Sequence, residues 1–173
     1  MDIDQQNLGL LVLRVSLGVT MIAHGYNHIW RGGKIAGTAG WFESLGMKPG
    51  KLHAWLASAT ELAAGAALIL GLLTPFAAGA LIGTMLVAFI TNHLHAGFFV
   101  FRRPTEGWEY LMNLVAALIA VACLGAGEWS LDNAFDITYS GWWGFVIAMV
   151  MGVGGAAGLL IVFWRKPQPA AST

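Results

Sequence analysis

The stretch LGLLVLRVSLGVTMIAHGYNHIW, residues 8–30, decides how this chain is read. Its first two thirds are apolar apart from Arg14, and it is long enough to cross a hydrocarbon core, which takes about 20 residues. Toward its end it carries two histidines one helical turn apart, His24 and His28, where lipid-facing chemistry would favour leucine. A membrane span with titratable groups at that depth is a span with a task. The whole composition agrees with a membrane location. The chain has 173 residues, of which 57% are hydrophobic and only 10% charged, against roughly 25% charged in soluble domains. Mean hydropathy is +0.68. Net charge is zero, so nothing marks a nucleic-acid partner. The single cysteine, Cys123, excludes an internal disulfide, a CxxC redox pair and a CxxCH haem attachment. The acidic start MDIDQQN, followed by a full-length apolar run, argues against a cleaved signal peptide.

Four further stretches have the length and apolarity of spans: residues 54–73, 76–99, 108–126 and 142–164. The fold class expected is therefore all-α, a polytopic helix bundle. Thr74 and Pro75 leave room only for a tight turn, so the second and third spans form an antiparallel hairpin. Every lysine and arginine except Arg14 falls in a loop or tail on one side: Arg31, Lys34, Lys48 and Lys51, then Arg102 and Arg103, then Arg165 and Lys166. Asp2, Asp4, Glu128, Asp132 and Asp136 collect on the other. Cytoplasmic loops are enriched in Lys and Arg, which puts the N-terminus outside and the C-terminus in the cytoplasm. All eight tryptophans fall at span ends or in the first loop, as an interfacial belt requires.

Gly79 and Gly83, and Gly154 and Gly158, have the GxxxG spacing that lets helices approach closely. They are expected to close the bundle of one chain, with a homo-oligomer as the alternative use. Residues 37–47, GTAGWFESLGM, are too short to span and mix aromatics with Glu43. They are expected to lie as an interfacial helix over the polar residues beneath.

Those polar residues converge. Counting along the helices at 1.5 Å per residue places His24 about 9 Å and Glu61 about 12 Å inside the cytoplasmic end. From the same side the third span presents Asn92, His93 and His95, and the fourth presents Glu109, Tyr110 and Asn113. The expected ligand-binding set is His24, His28, Glu61, Asn92, His93 and Asn113, with Glu61, Glu109 and Tyr110 as proton-relay candidates. His24 is the expected partner of Glu61. His95 points about 160° from His93 around a helix, so both face one site only if the helix breaks there. Arg14, near the outer end, is expected to snorkel outward or to pair with Asp132 or Asp136. Such groups also serve simply as hydrogen-bonded cross-links between helices.

The order LRVSLGVTMIAHG, GTAGWFESLGM, TELAAGAALILGLLTPFAAGALIG, HLHAGFF, GWEYLMNLVAAL and GEWSLD resembles the DoxX family of small bacterial membrane proteins, from Leu8 to about Asp132. Carried over residue by residue, the family's recurring polar positions are His24 with Gly25, Glu61, His93, and Glu109 with Tyr110. Ala96 departs from the asparagine common before GFF, and a fifth helix is added. The resemblance implies a four-helix membrane domain over residues 1–132, with residues 133–173 as an additional transmembrane helix and tail. It also implies kinship with a membrane subunit of thiosulfate:quinone oxidoreductase and with complexes of soluble thiol or superoxide enzymes.

Two functions of different class fit. One is a redox-linked subunit binding a quinone, which needs a hydrogen-bond donor and a proton source in an apolar pocket lined by side chains such as Phe89 and Met112. The other is a non-catalytic anchor or small-molecule carrier that docks a soluble redox or sulfurtransferase-type partner. A b-type haem between His24 or His28 and His93 or His95, with Arg102 or Arg103 at its propionates, carries less support. So does a metal held by His24, His28 and Glu61. The charge split predicts that a reporter fused to the C-terminus is active only in the cytoplasm; periplasmic activity of such a fusion would overturn the orientation.

Overall fold

The computed structural model describes residues 2–101, 106–137 and 139–167, and these form a helical bundle. The helices are α1 (Ile3–Trp30), α2 (Lys34–Ser44), α3 (Gly50–Leu70), α4 (Thr74–Ala88), α5 (Glu109–Leu124), the single turn α6 (Leu131–Ala134) and α7 (Gly141–Phe163). A π-helical turn, Phe89–His93, prolongs α4. Taking α4 with that turn, four helices are long and apolar enough to cross a membrane; α5 is the shorter apolar helix. Its 16 residues reach about 24 Å, less than the roughly 30 Å of a hydrocarbon core. The third expected span ends at His93 rather than Phe99, because the π-turn unwinds the helix and Gly97 takes a positive φ. Arg102 and Arg103 lie outside the described residues.

The bundle is built around one seam. Along α1 the buried or half-buried residues Arg14, Gly18, Met21, Gly25 and His28 repeat with steps of four and three, and α3 answers with Ala54, Ser58, Glu61, Gly65 and Leu68 in the same steps. This is the seven-residue pattern that keeps two helices facing each other over their whole length. Glycine lets the backbones touch. A Cβ on Gly18 would stand 2.5 Å from the Gly65 carbonyl, and one on Gly65 would stand 2.8 Å from that of Gly18. Gly25 is equally confined, against the Ser58 carbonyl and the Glu61 side chain.

At the α6 end this seam terminates in Arg14, which is 0% exposed. Its guanidinium donates to the carbonyls of Leu68 (3.3 Å) and Ile69 (3.4 Å) at the end of α3, and to that of Trp129 (2.7 Å). Arg14 therefore does not snorkel: unpaired carbonyls at a helix C-terminus attract a cation, and here they lie inside the bundle. Asp132 is close enough to interact with it electrostatically. The same carboxylate accepts from the backbone amides of Leu73 (2.6 Å) and Thr74 (2.9 Å), and so caps the start of α4 from a distant segment. Asn7 and Glu128 add a reciprocal pair of bonds beside it.

The second close contact joins α4 to α7. Gly79 and Gly83 do pack tightly, but against Ala148 and Gly152. The buried stripe on α7 is Gly144, Ala148, Gly152 and Ala156, one residue every four. Gly154 and Gly158, expected to help close the bundle, would bring a Cβ within 4 Å of nothing. The GxxxG spacing was right for the partner helix and two residues out of phase on α7, which is more than half a turn. Leu68, Leu81, Ile82, Leu118 and Val121 fill the core between these layers.

A Gly18→Val protein should unfold with a loss of about 1 to 3 kcal/mol, because two backbones must part, whereas Gly154→Val should melt like the unmodified protein. Thermal unfolding of both in one detergent checks the contrast, and equal melting points would contradict the seam.

Candidate functional site

At its α2 end the α1–α3 seam carries the titratable groups. Glu61 is 3% exposed, and His28 Nδ1 stands 3.2 Å from its Oε2. Neither atom has an aligned hydrogen bond among the described residues. The two groups can hold one proton between them in either place, and the pair is neutral overall in both arrangements, which is what a low-dielectric interior tolerates. His24, expected as the partner of Glu61, is exposed on the outside of α1. The reason is angular: four residues from His28 is about 40° around the helix, and Gly25, not His24, is the residue in phase with the seam.

Helix α2 closes this end. It begins and ends three residues earlier than the expected 37–47 segment. Gly33, with a φ of +89°, turns the chain back from α1, and Thr38 Oγ1 donates to the His28 carbonyl (2.8 Å). Trp41 and Phe42 place their rings 6.5 and 6.4 Å from the His28 ring. The loop after α2 is stitched to the end of α7. Met47 and Trp164 form a β-bridge, Trp164 Nε1 donates to the Leu45 carbonyl (2.9 Å), and Arg165 N–H donates to that of Gly46 (3.0 Å). The added helix thus clamps the cover over the seam.

On the far side of Phe42 lies a cavity of about 190 Å³ between α2, α3, α4 and α7, walled by apolar side chains with Thr60 and Thr84 among them. Its titratable wall residue is His53, which is 3% exposed and whose ring centroid is 6.4 Å from that of Phe42. The span expected over residues 54–73 leaves His53 just outside it, at the edge of the preceding loop. Helix α3 in fact starts at Gly50, so His53, Ala57 and Thr60 share one helix face, at steps of four and three, and this spacing was the available signal.

A second polar group sits where α4 ends. His93 is buried; its Nδ1 bonds to the Glu106 carbonyl (2.8 Å), while the Tyr110 hydroxyl (3.0 Å) and Asn92 Nδ2 (3.1 Å) approach Nε2. A carbonyl only accepts, so Nδ1 carries the proton and Nε2 receives those of Tyr110 and Asn92. The π-turn sets this up: Leu94 N–H donates to the Phe89 carbonyl five residues back (2.8 Å), after which the helix stops, with His93 turned inward and His95 exposed. Glu109 is half-buried and accepts from Val100 N–H (3.2 Å), and Asn113 is exposed and donates to the Glu109 carbonyl (3.0 Å).

Of the residues expected to form one constellation, the structure joins His28 to Glu61 and, separately, His93 to Tyr110 and Asn92. The other partners that Glu61, His24 and Asn113 would need from that set lie elsewhere. Among the described residues, no group of three or more His, Cys, Asp or Glu is arranged to hold a metal ion.

These features belong to a small helical membrane protein with a covered polar end. The DoxX family model matches residues 9–94, a stretch that contains the α1–α3 seam, α2, α4 and the π-turn through His93. The chain belongs to the DoxX family. The match stops before α5, so the family resemblance read as far as Asp132 is carried by the first half of the chain. No curated protein and no solved structure matches the chain.

Replacing Tyr110 by Phe should cost about 0.5 to 1.5 kcal/mol, since Asn92 still serves His93 Nε2. His93→Ala should cost more, because it also frees the Glu106 segment from α4. Melting temperatures should fall in that order, and an unchanged melt for His93→Ala would show that the cluster does not hold the α4–α5 connection.

Proposed function

We propose that this DoxX protein is a redox-linked subunit of the bacterial inner membrane that exchanges protons with a quinone in the cytoplasmic half of its bundle. The observation that supports this most is the His28–Glu61 pair, 3.2 Å apart, both atoms buried and neither hydrogen-bonded, next to an apolar cavity. A quinone takes up two protons as it takes up two electrons; the carboxyl–imidazole pair is neutral while it holds its shared proton, becomes a carboxylate beside a neutral imidazole when it gives that proton up, and is reprotonated from the cytoplasmic side before it supplies the second. The electrons come from a soluble sulfur- or thiol-oxidising partner docked on a membrane face. Glu109 and Tyr110, bonded to Val100 and His93, are assigned to holding the α4–α5 connection rather than to the relay.

The unmodified protein should then retain quinone when purified from its native membrane, and its quinone affinity should depend on pH. Glu61→Gln keeps the shape and a hydrogen-bonding group but has no titratable proton, so its melting temperature should stay close to that of the unmodified protein while the pH dependence flattens. Glu61→Leu should in addition lose about 1 to 3 kcal/mol of stability by stranding His28. Absence of quinone from the unmodified protein would favour the anchor or carrier, and an unaltered pH profile in Glu61→Gln would remove the pair from the reading.

A further inference from the structure

Phe42 stands between two groups that the bundle leaves short of partners. Among the described residues five buried side-chain polar atoms have no aligned hydrogen bond, and three of them, His53 Nε2 and the facing atoms of the His28–Glu61 pair, belong to the groups that this ring separates. Its centroid is 6.4 Å from that of the His28 ring and 6.4 Å from that of the His53 ring. A native fold leaves few such atoms, so their gathering about one side chain calls for a second arrangement in which they are served.

The helix that carries Phe42 cannot supply it by lifting away. Thr38 Oγ1 donates to the His28 carbonyl (2.8 Å), and Glu43 Oε1 accepts from Gly50 N–H (3.2 Å), so α2 is tied to the end of α1 and to the start of α3. Gly50 lies so close beneath it that a Cβ there would stand 2.2 Å from the Ala39 carbonyl. With the backbone of α2 fixed, rearrangement falls to the Phe42 side chain, which already borders the cavity.

That cavity leads to lipid. At about 190 Å³ it exceeds the roughly 150 Å³ apolar hollow that takes up benzene, so it has room for one ring. Trp41, Leu56 and Met151 line it and are exposed on the outer surface of the helices. In a bilayer that surface meets hydrocarbon, so a lipid tail stays outside while its ring enters between α3 and α7.

From these features we propose that the cavity and the His28–Glu61 pair are two parts of one chamber for the ring of a membrane quinone, with the Phe42 side chain as the gate between them. The proposal rests on the quinone reading above and adds to it the entrance and the residue that controls passage to the pair. With Phe42 turned aside, the ring meets His28 and Glu61, and His53 is the polar group on the cavity side.

Decylubiquinone binding to the full chain in lipid nanodiscs, followed by stopped-flow quenching of tryptophan fluorescence, tests the gate. A smaller side chain should speed entry and a larger one should slow it: association is expected to be about tenfold faster in Phe42→Leu and about tenfold slower in Phe42→Trp. Both replacements alter the packing under α2, so Gly155→Leu provides a variant on another helix. Gly155 lines the cavity and has nothing within 4 Å of a built Cβ, so its leucine narrows the hollow without a clash and should weaken decylubiquinone about tenfold while the melt is kept. Association rates that neither Phe42 replacement changes overturn the gate. Unaltered affinity and pH dependence in a folded Gly155→Leu protein overturn the chamber: quinone then reaches the pair by another route, and the proton-exchange reading stands. Gate and cavity effects as expected, with a pH profile that Glu61→Gln leaves unaltered, overturn the proton-exchange reading and keep the chamber. Absence of decylubiquinone binding by the unmodified protein overturns both.

Discussion

Two helices touching backbone to backbone along a seven-residue repeat is the constraint on which this molecule depends. With Gly18 against Gly65, and Gly25 against Ser58 and Glu61, α1 and α3 have no freedom to slide or rotate by a residue. In lipid there is little hydrophobic gain from bringing apolar helices together, so close packing and interhelical polar contacts decide association. The glycines supply the first. The residues in phase with them, Arg14 at one end and His28 at the other, supply the second.

The two ends use that phase for different purposes. Arg14 is satisfied almost completely, by three carbonyls and the nearby Asp132, and Asp132 in turn caps α4. A charged group so placed locks α1, α3, α4 and the segment before α6 into one end-piece. The His28–Glu61 pair, by contrast, has proximity without aligned hydrogen bonds. A polar group left short of partners inside a bundle is unfavourable by about 1 to 3 kcal/mol, so the rigid end carries the stability that the unsatisfied end does without. Phe42, gripped by the connection to α7, shields the pair on one face and walls the cavity on the other.

The seventh helix is therefore not an appendage. Its small-residue stripe brings α7 against α4 as closely as α1 lies against α3, and its end holds the loop that follows α2. The cavity exists because α7 supplies Met151, Gly155 and Leu159 as a fourth wall. A chain ending at α5 would present α4 to lipid and leave α2 without its clamp.

The helices, the hairpin at Thr74 and Pro75 and the existence of a cover helix were legible in the residues, because hydrophobic length, a proline and a segment too short to span are one-dimensional quantities. The involvement of His28 was half legible: a wheel places Arg14 and His28 within about 40° of each other, though not the glycines' claim on the seam between them. What tertiary structure alone decided was azimuth. Whether His24 or His28 meets Glu61, whether Gly152 or Gly154 meets α4, and whether His53 is a loop edge or a cavity wall each turn on a rotation of about 40 to 200°. Such a rotation is set by which faces of several helices fit together at once, and no single helix records it in its own sequence.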